Sequence, residues 1–417
     1  MTARATVVAL VALTLFAHLA AQLALGLYTA PEAFEYDAIA RSIVGGDGYV
    51  YPHLGTSNRA FASPLYPFIL AGAYAVFGQS PLGPGLVQLG FAVGLTLATY
   101  ALARRWLDPD AAALAGAAAA THPGLLVLGG KIHALPLDAF LMALSLLALV
   151  ALRERPSASR AVLLGLVVGA VALERATFLV FIALAFAWMA GSATLPRRLV
   201  GPLAGLSVVV AVTVVSPWLV RNATLLGAPI ITATANEVLW YGNNPNAAGG
   251  ALTADVRPML EADPELRSRV WGRPEVEQDR IFRDEALAFI ASDPMGTVRR
   301  DLVRLFEFWW FSPRTGTLYP SGWVAIYGAY YVALLALAAA GAVILARSGE
   351  HEPLVLLAIA LVSVSVVHAV YYVEGRHRWQ IEWSLFVLAA VPASSLLRLV
   401  VRRRRRAPRL LGGTRWG

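Results

Sequence analysis

The chain has 417 residues, of which 58% are hydrophobic and 14% charged, and it carries a formal net charge of +8 at pH 7. Soluble domains carry roughly 25% charged residues, so this composition excludes a water-soluble fold. Cysteine is absent, which excludes disulfides, thiolate chemistry and cysteine metal sites. The positive charge sits in short connectors and in a tail from Arg402 to Arg406, a pattern of anchoring against anionic lipid and not of nucleic-acid binding.

In chain order, residues 5–27 form a first apolar run behind Arg4, read as a retained helix and not as a cleaved signal peptide. A polar first loop follows over 28–63. Residues 64–78 are apolar but too short to span a ~30 Å hydrocarbon core, so they predict a juxtamembrane or re-entrant helix. Further spans are expected near 84–103, 110–129, 136–152, 161–173, 177–192 and 199–219, and after a large polar loop over 221–320 near 323–345, 354–372 and 381–400. The expected fold is an all-α integral membrane bundle of about ten transmembrane helices, one polytopic domain ending in a basic tail over 401–417. The positive-inside rule places Arg104, Arg105, the 153–160 connector, Arg197, Arg198, Arg347 and the tail in the cytoplasm with both termini. Both large loops then face outward from the plasma or inner membrane. Within the second, Glu275 to Glu285 predict a surface helix, and Leu302 to Trp310 an aromatic-rich stretch at headgroup level. Gly165 with Gly169, and Gly201 with Gly205, have the small-residue spacing used in helix contacts. Asn222-Ala-Thr224 fits a glycosylation sequon.

Chemistry is expected at the outer ends of the spans. Glu35 and Asp37 sit two apart directly after the first span, a short helix is predicted from Asp37 to Ile43, and Asp47 follows its closing glycines. A carboxylate there can deprotonate an acceptor hydroxyl, and Asp37 with Glu35 could hold a divalent cation, Mg or Mn; the competing use of Asp37 is to cap the helix. Near the other end of the chain Arg376, His377 and Arg378 crowd a short outer connector. Paired guanidinium groups suit a phosphate, against the alternative of arginines reaching lipid headgroups. Arg221, Arg175 and Lys131, the only lysine, are further cations on that face. The seven histidines show no metal-ligand spacing.

Four stretches together resemble the GT-C type, polyprenyl-phosphate-sugar-dependent glycosyltransferases, including the family 39 protein O-mannosyltransferases and aminoarabinose transferases. They run from Glu35 to Tyr49, from Ser63 to Ala71, from Pro217 through Gly227 and on to Pro245, and from Glu374 to Arg378. The resemblance implies inverting transfer of a hexosyl or pentosyl group from a polyprenyl-phosphate donor to a glycan, lipid or protein hydroxyl. It implies Asp37 as base or site organiser, and Arg376 and Arg378, aided by Arg221, on the lipid phosphate. Where the family often has a glutamate after the third span, this chain has Leu135 and Pro136, with Asp138 nearby. The contending readings are a lipid or solute transporter and a catalytically inactive partner of such an enzyme. A transporter is expected to carry ionisable groups near the bilayer midplane, whereas here they gather at the span ends.

Overall fold

The computed structural model describes residues 2–26, 31–191, 196–310 and 321–406. Of the expected segments, residues 28–30 of the first loop, 311–320 of the large loop and 407–417 of the tail lie outside the described residues. The chain opens with α1 (Ala3–Leu25), β1 (Glu32–Ala33), α2 (Glu35–Gly45), the hairpin strands β2 (Tyr51–His53) and β3 (Thr56–Asn58), and α3 (Leu65–Phe77). There follow α4 (Leu82–Trp106), α5 (Pro109–Ala120), α6 (Pro123–Leu128), β4 (Lys131–Ile132), α7 (Leu135–Glu154), α8 (Ala158–Arg175), α9 (Leu179–Gly191) and α10 (Arg197–Leu226). The large loop holds α11 (Ala235–Gly242), α12 (Pro264–Val270), α13 (Glu275–Ser292) and α14 (Pro294–Trp309), and the chain closes with α15 (Ser321–Arg347), α16 (His351–Val370) and α17 (Glu382–Arg406).

Seven stretches among the described residues are long and apolar enough to cross a membrane: α1, α4, α7, Ala158–Gly191, α10, α15 and α16. They leave Phe16, Leu19, Val208, Val209, Val212 and Val362 exposed, side chains that hydrocarbon solvates and water does not. The chain is a multi-pass membrane protein. The expected ten also counted α17, the broken pair α5 and α6, and the two arms of Ala158–Gly191. That segment is not one rod. Arg160 at the start of α8 reaches the Ala151 carbonyl near the end of α7, and Arg153 lies 5.2 Å over the ring of Trp188 near the end of α9. Both ends of the segment therefore return to the foot of α7, and the chain turns at residues 176–178.

Helix direction follows from side-chain pairs. The Thr14 hydroxyl meets that of Thr96 at 3.1 Å, and a Cβ on Gly116 would meet Leu10 and Tyr100, so α1 runs antiparallel to α4. Arg105 with Glu154, Arg153 with Glu352, and Arg398 with Asp108 at 3.1 Å gather at one face of the bundle. The loops gather at the other.

Prolines inside the spans free carbonyls that need partners in an apolar medium. Pro217 leaves the Thr213 carbonyl without its helical donor, and the Ser216 hydroxyl takes it at 3.1 Å. Pro392 does the same to Leu388, and Gly341 of α15 packs so closely there that a Cβ would lie 1.9 Å from that oxygen. Gly165 and Gly169 seat α8 on α10, where added Cβ atoms would come within 2.5 Å of the Ser207 carbonyl and 2.6 Å of Val214. Gly201 and Gly205 face open space, so that pair makes no helix contact. Gly165→Ala is therefore expected to cost about 1–3 kcal/mol from overpacking, while Gly201→Ala is neutral or stabilising because alanine is the better helix former. Thermal unfolding of the two detergent-solubilised variants decides it; equal midpoints would refute the packing assignment.

The two loops form one cap. Glu275, opening α13, accepts from the Arg59 and Ala60 amides at 2.9 to 3.0 Å. The Ala233 amide donates to the Ala60 carbonyl at 2.7 Å and the Gly272 amide to that of Leu54 at 2.8 Å. Ile39, Tyr49, Ala60, Ala62, Trp218 and Ala233 make the apolar seam beneath. α10 continues to Leu226, so the large loop starts later than 221. Asn222 is fully buried and donates to the Ile230 carbonyl at 2.8 Å, which removes it as a glycosylation acceptor.

α14 is amphipathic. Arg304 and Phe308 are buried, Arg304 donating to the Ala369 carbonyl at 2.6 Å and Phe308 stacking on His368 at 5.7 Å, while Met295, Val298, Leu302 and Phe306 are exposed. It lies across the end of α16 with an apolar stripe turned outward, the pattern of a helix at the headgroup boundary.

Candidate functional site

β1 pairs in parallel with β4, in a register that sets Glu32 opposite Lys131, and their side chains form an ion pair. This ladder brings the start of α2 beside the α6–α7 connector, and α2 begins at Glu35. Residues two apart on an α-helix point about 200° apart, so Glu35 and Asp37 diverge. Asp37 turns to α3: the Tyr74 hydroxyl donates to Oδ1, Arg41 Nε donates to Oδ2 at 2.8 Å, and Arg41 lies 5.1 Å over the Tyr74 ring while reaching Gln79 at 3.0 Å. No backbone amide of α2 takes the Asp37 side chain as its cap. Asp47 is exposed in the turn after α2.

Glu35 diverges from Asp37 and feels the charge of Arg376. Burial raises its carboxyl above the usual glutamate range, opposed by a backbone hydrogen bond and by the Arg376 guanidinium. Its charge is felt by the phenols of Tyr36, Tyr49, Tyr51, Tyr241 and Tyr372. Burial keeps all five protonated above their usual range. Tyr241 is set by Glu237, which accepts its hydroxyl at 2.7 Å and meets His53 at 2.9 Å. Tyr372 crosses the Tyr241 ring edge-on at 6.1 Å.

Arg376 sits in a 3-10 turn, Gly375–Gln380, and pairs with Glu374 at 2.5 Å. His133, beside Phe34 at 5.6 Å, and His377, stacked on His368 at 4.3 Å, are both held well below the usual histidine range, first by burial and then by nearby charges that include Arg376. They are neutral at physiological pH. The cationic side of the site is therefore Arg376 and Lys131 with Arg175, whose Nη2 is 2.8 Å from the fully buried Asp138.

Two of the expected phosphate ligands are placed elsewhere. Arg378 is fully buried, 3.3 Å from Glu382, donating to the Tyr327 hydroxyl at 3.1 Å and the Phe308 carbonyl at 3.2 Å, and lying 4.2 Å over Tyr331. It belongs to an internal network in which His122 meets Glu382 at 2.5 Å. In a 3-10 turn positions two apart point about 240° apart, which is why Arg376 and Arg378 part. Arg221 lies 4.4 Å over Trp218 and donates to the Arg59 carbonyl at 3.0 Å, tying the first loop to α10. Sequence reasoning gave Tyr241, Tyr372 and His133 no role at the site; Tyr241 lies inside a motif stretch and Tyr372 beside one, while nothing local marks their convergence on Glu35.

The residues do not fit the divalent ion expected at Asp37 and Glu35, since both Asp37 oxygens are taken by Tyr74 and Arg41. Among the described residues no group of three or more His, Asp or Glu is placed to hold a metal ion.

Residues 62–220 match the family model for dolichyl-phosphate-mannose-protein mannosyltransferase, a range that includes neither Glu35 nor Arg376. In shape the chain is similar to the oligosaccharyltransferase AglB of Archaeoglobus fulgidus in complex with an inhibitory peptide and a dolichol-phosphate, with a TM-score of 0.56 at 15% identity over 97% of this chain and 52% of that one. The chain has the GT-C fold. A second AglB structure, in complex with Zn and sulfate, matches this chain with a TM-score of 0.54 at 15% identity, covering 94% and 50% of the two chains. ArnT from Cupriavidus metallidurans bound to undecaprenyl phosphate reaches a TM-score of 0.46 at 18% identity, covering 96% and 79%. The chain spans about half the length of AglB. No curated protein matches it in sequence.

Proposed function

We propose that this GT-C protein transfers a hexosyl or pentosyl group from a polyprenyl phosphate to an acceptor hydroxyl on the extracytoplasmic side of the membrane, with inversion. The observation that carries the reading is the half-buried Glu35 carboxylate, close enough to Arg376 to feel its guanidinium charge, with the protonated phenols of Tyr36 and Tyr372 within reach of its own. Glu35 takes the acceptor proton as the acceptor oxygen attacks the anomeric carbon. The bond from that carbon to the phosphate oxygen breaks, and its electron pair leaves on the phosphate. Arg376 and Lys131 stabilise that charge in a site partly screened from water. Asp37, in this reading, positions α2 against α3. The prenyl chain lies in an apolar groove of about 470 Å³ between α1 and α15, lined by Ala17, Ala20, Ala24 and Val324 and ending at Trp379, on the turn that carries Arg376.

The test supplies proteoliposomes with radiolabelled polyprenyl-phosphate sugars and follows transfer against pH. A base must be ionised, so activity falls as pH drops through the Glu35 pKa, and this acid limb is expected above the ordinary glutamate value of about 4.3. Arg376 lowers that pKa, so Arg376→Ala moves the limb further up. No consumption of any donor, or a limb indifferent to Arg376, would sink the reading.

A further inference from the structure

On α14, Met295, Val298, Arg299, Leu302, Val303 and Phe306 are all exposed, and at 100° per residue they fall within an arc of about 140°. Thr297, Arg304 and Phe308, on the opposite side, are buried. The helix stands at the head of a bilayer-facing row. Arg304 donates to the Ala369 carbonyl at 2.6 Å, at the end of the spanning helix α16, and Val362, Val366 and Val370 are exposed four residues apart along that helix, on one face of it. In water the α14 arc would be an apolar patch of a kind that soluble surfaces rarely carry, whereas a lipid leaflet solvates it.

Arg299 stands inside this arc. The other two arginines of the helix are answered within the protein, Arg300 by Asp293 at 3.2 Å and Arg304 by Asp301. Among the described residues Arg299 enters no ion pair. Beside it a cavity of about 440 Å³ lies between α14 and residues 247–249, with Arg299 and Arg300 on its wall. Glu307, also on that wall, is turned onto Gly249, more than two turns further along the helix. We propose that α14 docks on the leaflet at the loop side of the bundle with the phosphate of an anionic phospholipid on Arg299 and the headgroup in this cavity. The arginine stem lies along the apolar arc while its guanidinium reaches phosphate level. Val298, Leu302 and Val303 exclude water around that pair, which strengthens it. In phosphatidylcholine the quaternary ammonium beside the phosphate offsets the attraction, and a headgroup of net negative charge keeps it.

The chain has no cysteine, so a single introduced thiol carries one fluorophore. The test labels Leu302→Cys in the full chain, reconstituted in vesicles of phosphatidylcholine with a minor fraction of phosphatidylglycerol. Bromine quencher is placed on the acyl chains of either the phosphatidylglycerol or an equal fraction of the phosphatidylcholine. Quenching by brominated phosphatidylglycerol is expected to be about fivefold the stronger, the enrichment that one cation gains at an anionic surface. Arg299→Gln equalises the two lipids. Val208→Cys, on the exposed side of α10, reports the lipid around the rest of the bundle and shows no such excess. Glu265→Cys, on α12, whose Leu266 and Val270 pack inside the cap, stays unquenched. Absence of quenching at Leu302→Cys gives the face to water or to a protein partner and overturns the proposal. So does equal quenching by the two lipids, an equal excess at Val208→Cys, or an excess that survives Arg299→Gln.

Discussion

Glu35→Gln is expected to lower sugar transfer by about 10²- to 10⁴-fold, the range lost with a general base, while leaving the protein as stable as wild type or more so. The second half follows from linkage. A carboxyl whose pKa is raised in the folded state, as burial raises that of Glu35, favours folding when protonated and costs stability as pH rises through its shifted value. The uncharged amide escapes that cost at neutral pH. Asp37→Asn is expected to behave in the opposite way. It loses a charge-assisted bond to Arg41 and weakens that to Tyr74, costing about 1–3 kcal/mol, yet turnover should stay within about tenfold, since Asp37 acts only by positioning α2. Transfer assays paired with thermal unfolding separate the two. An inactive, normally folded Asp37→Asn beside an active Glu35→Gln would return the base to Asp37.

The largest effect on stability is expected at Arg378. Arg378→Leu leaves Glu382 and the Tyr327 hydroxyl in a dry interior without their cation, and breaking a buried pair from one side costs about 3–5 kcal/mol. Arg376→Ala, two residues away and partly exposed, should fold normally and hold the donor more weakly, with enough transfer left to follow against pH. Size-exclusion profiles and melting curves measure the first effect, and retention of labelled donor in washed vesicles the second. If Arg378→Leu folds as well as wild type while losing the donor, the internal network is not its role.

Hydropathy and charge alone carried much of the architecture, because both are local properties: residues 64–78 were apolar and too short to span, and the helix α3 occupies them. The arginines of the short connectors likewise marked one face of the bundle before any contact was known. The same reading picked out two stretches that the candidate site draws on, the acids at the start of α2 and the arginines before α17.

Which member of each group is left out of the packing was a matter of tertiary structure. Glu35 and Asp37 stand two apart on an α-helix, Arg376 and Arg378 two apart on a 3-10 turn, and in both geometries such neighbours point to opposite sides. One of each pair faces the gap between the loops and the other is consumed in packing, a choice made by Tyr74 in one case and by Glu382 and Tyr327 in the other. Tyr241, His133 and Arg175 reach the site from distant parts of the chain, and only the close packing of α2, the α6–α7 connector and the final turn brings them together.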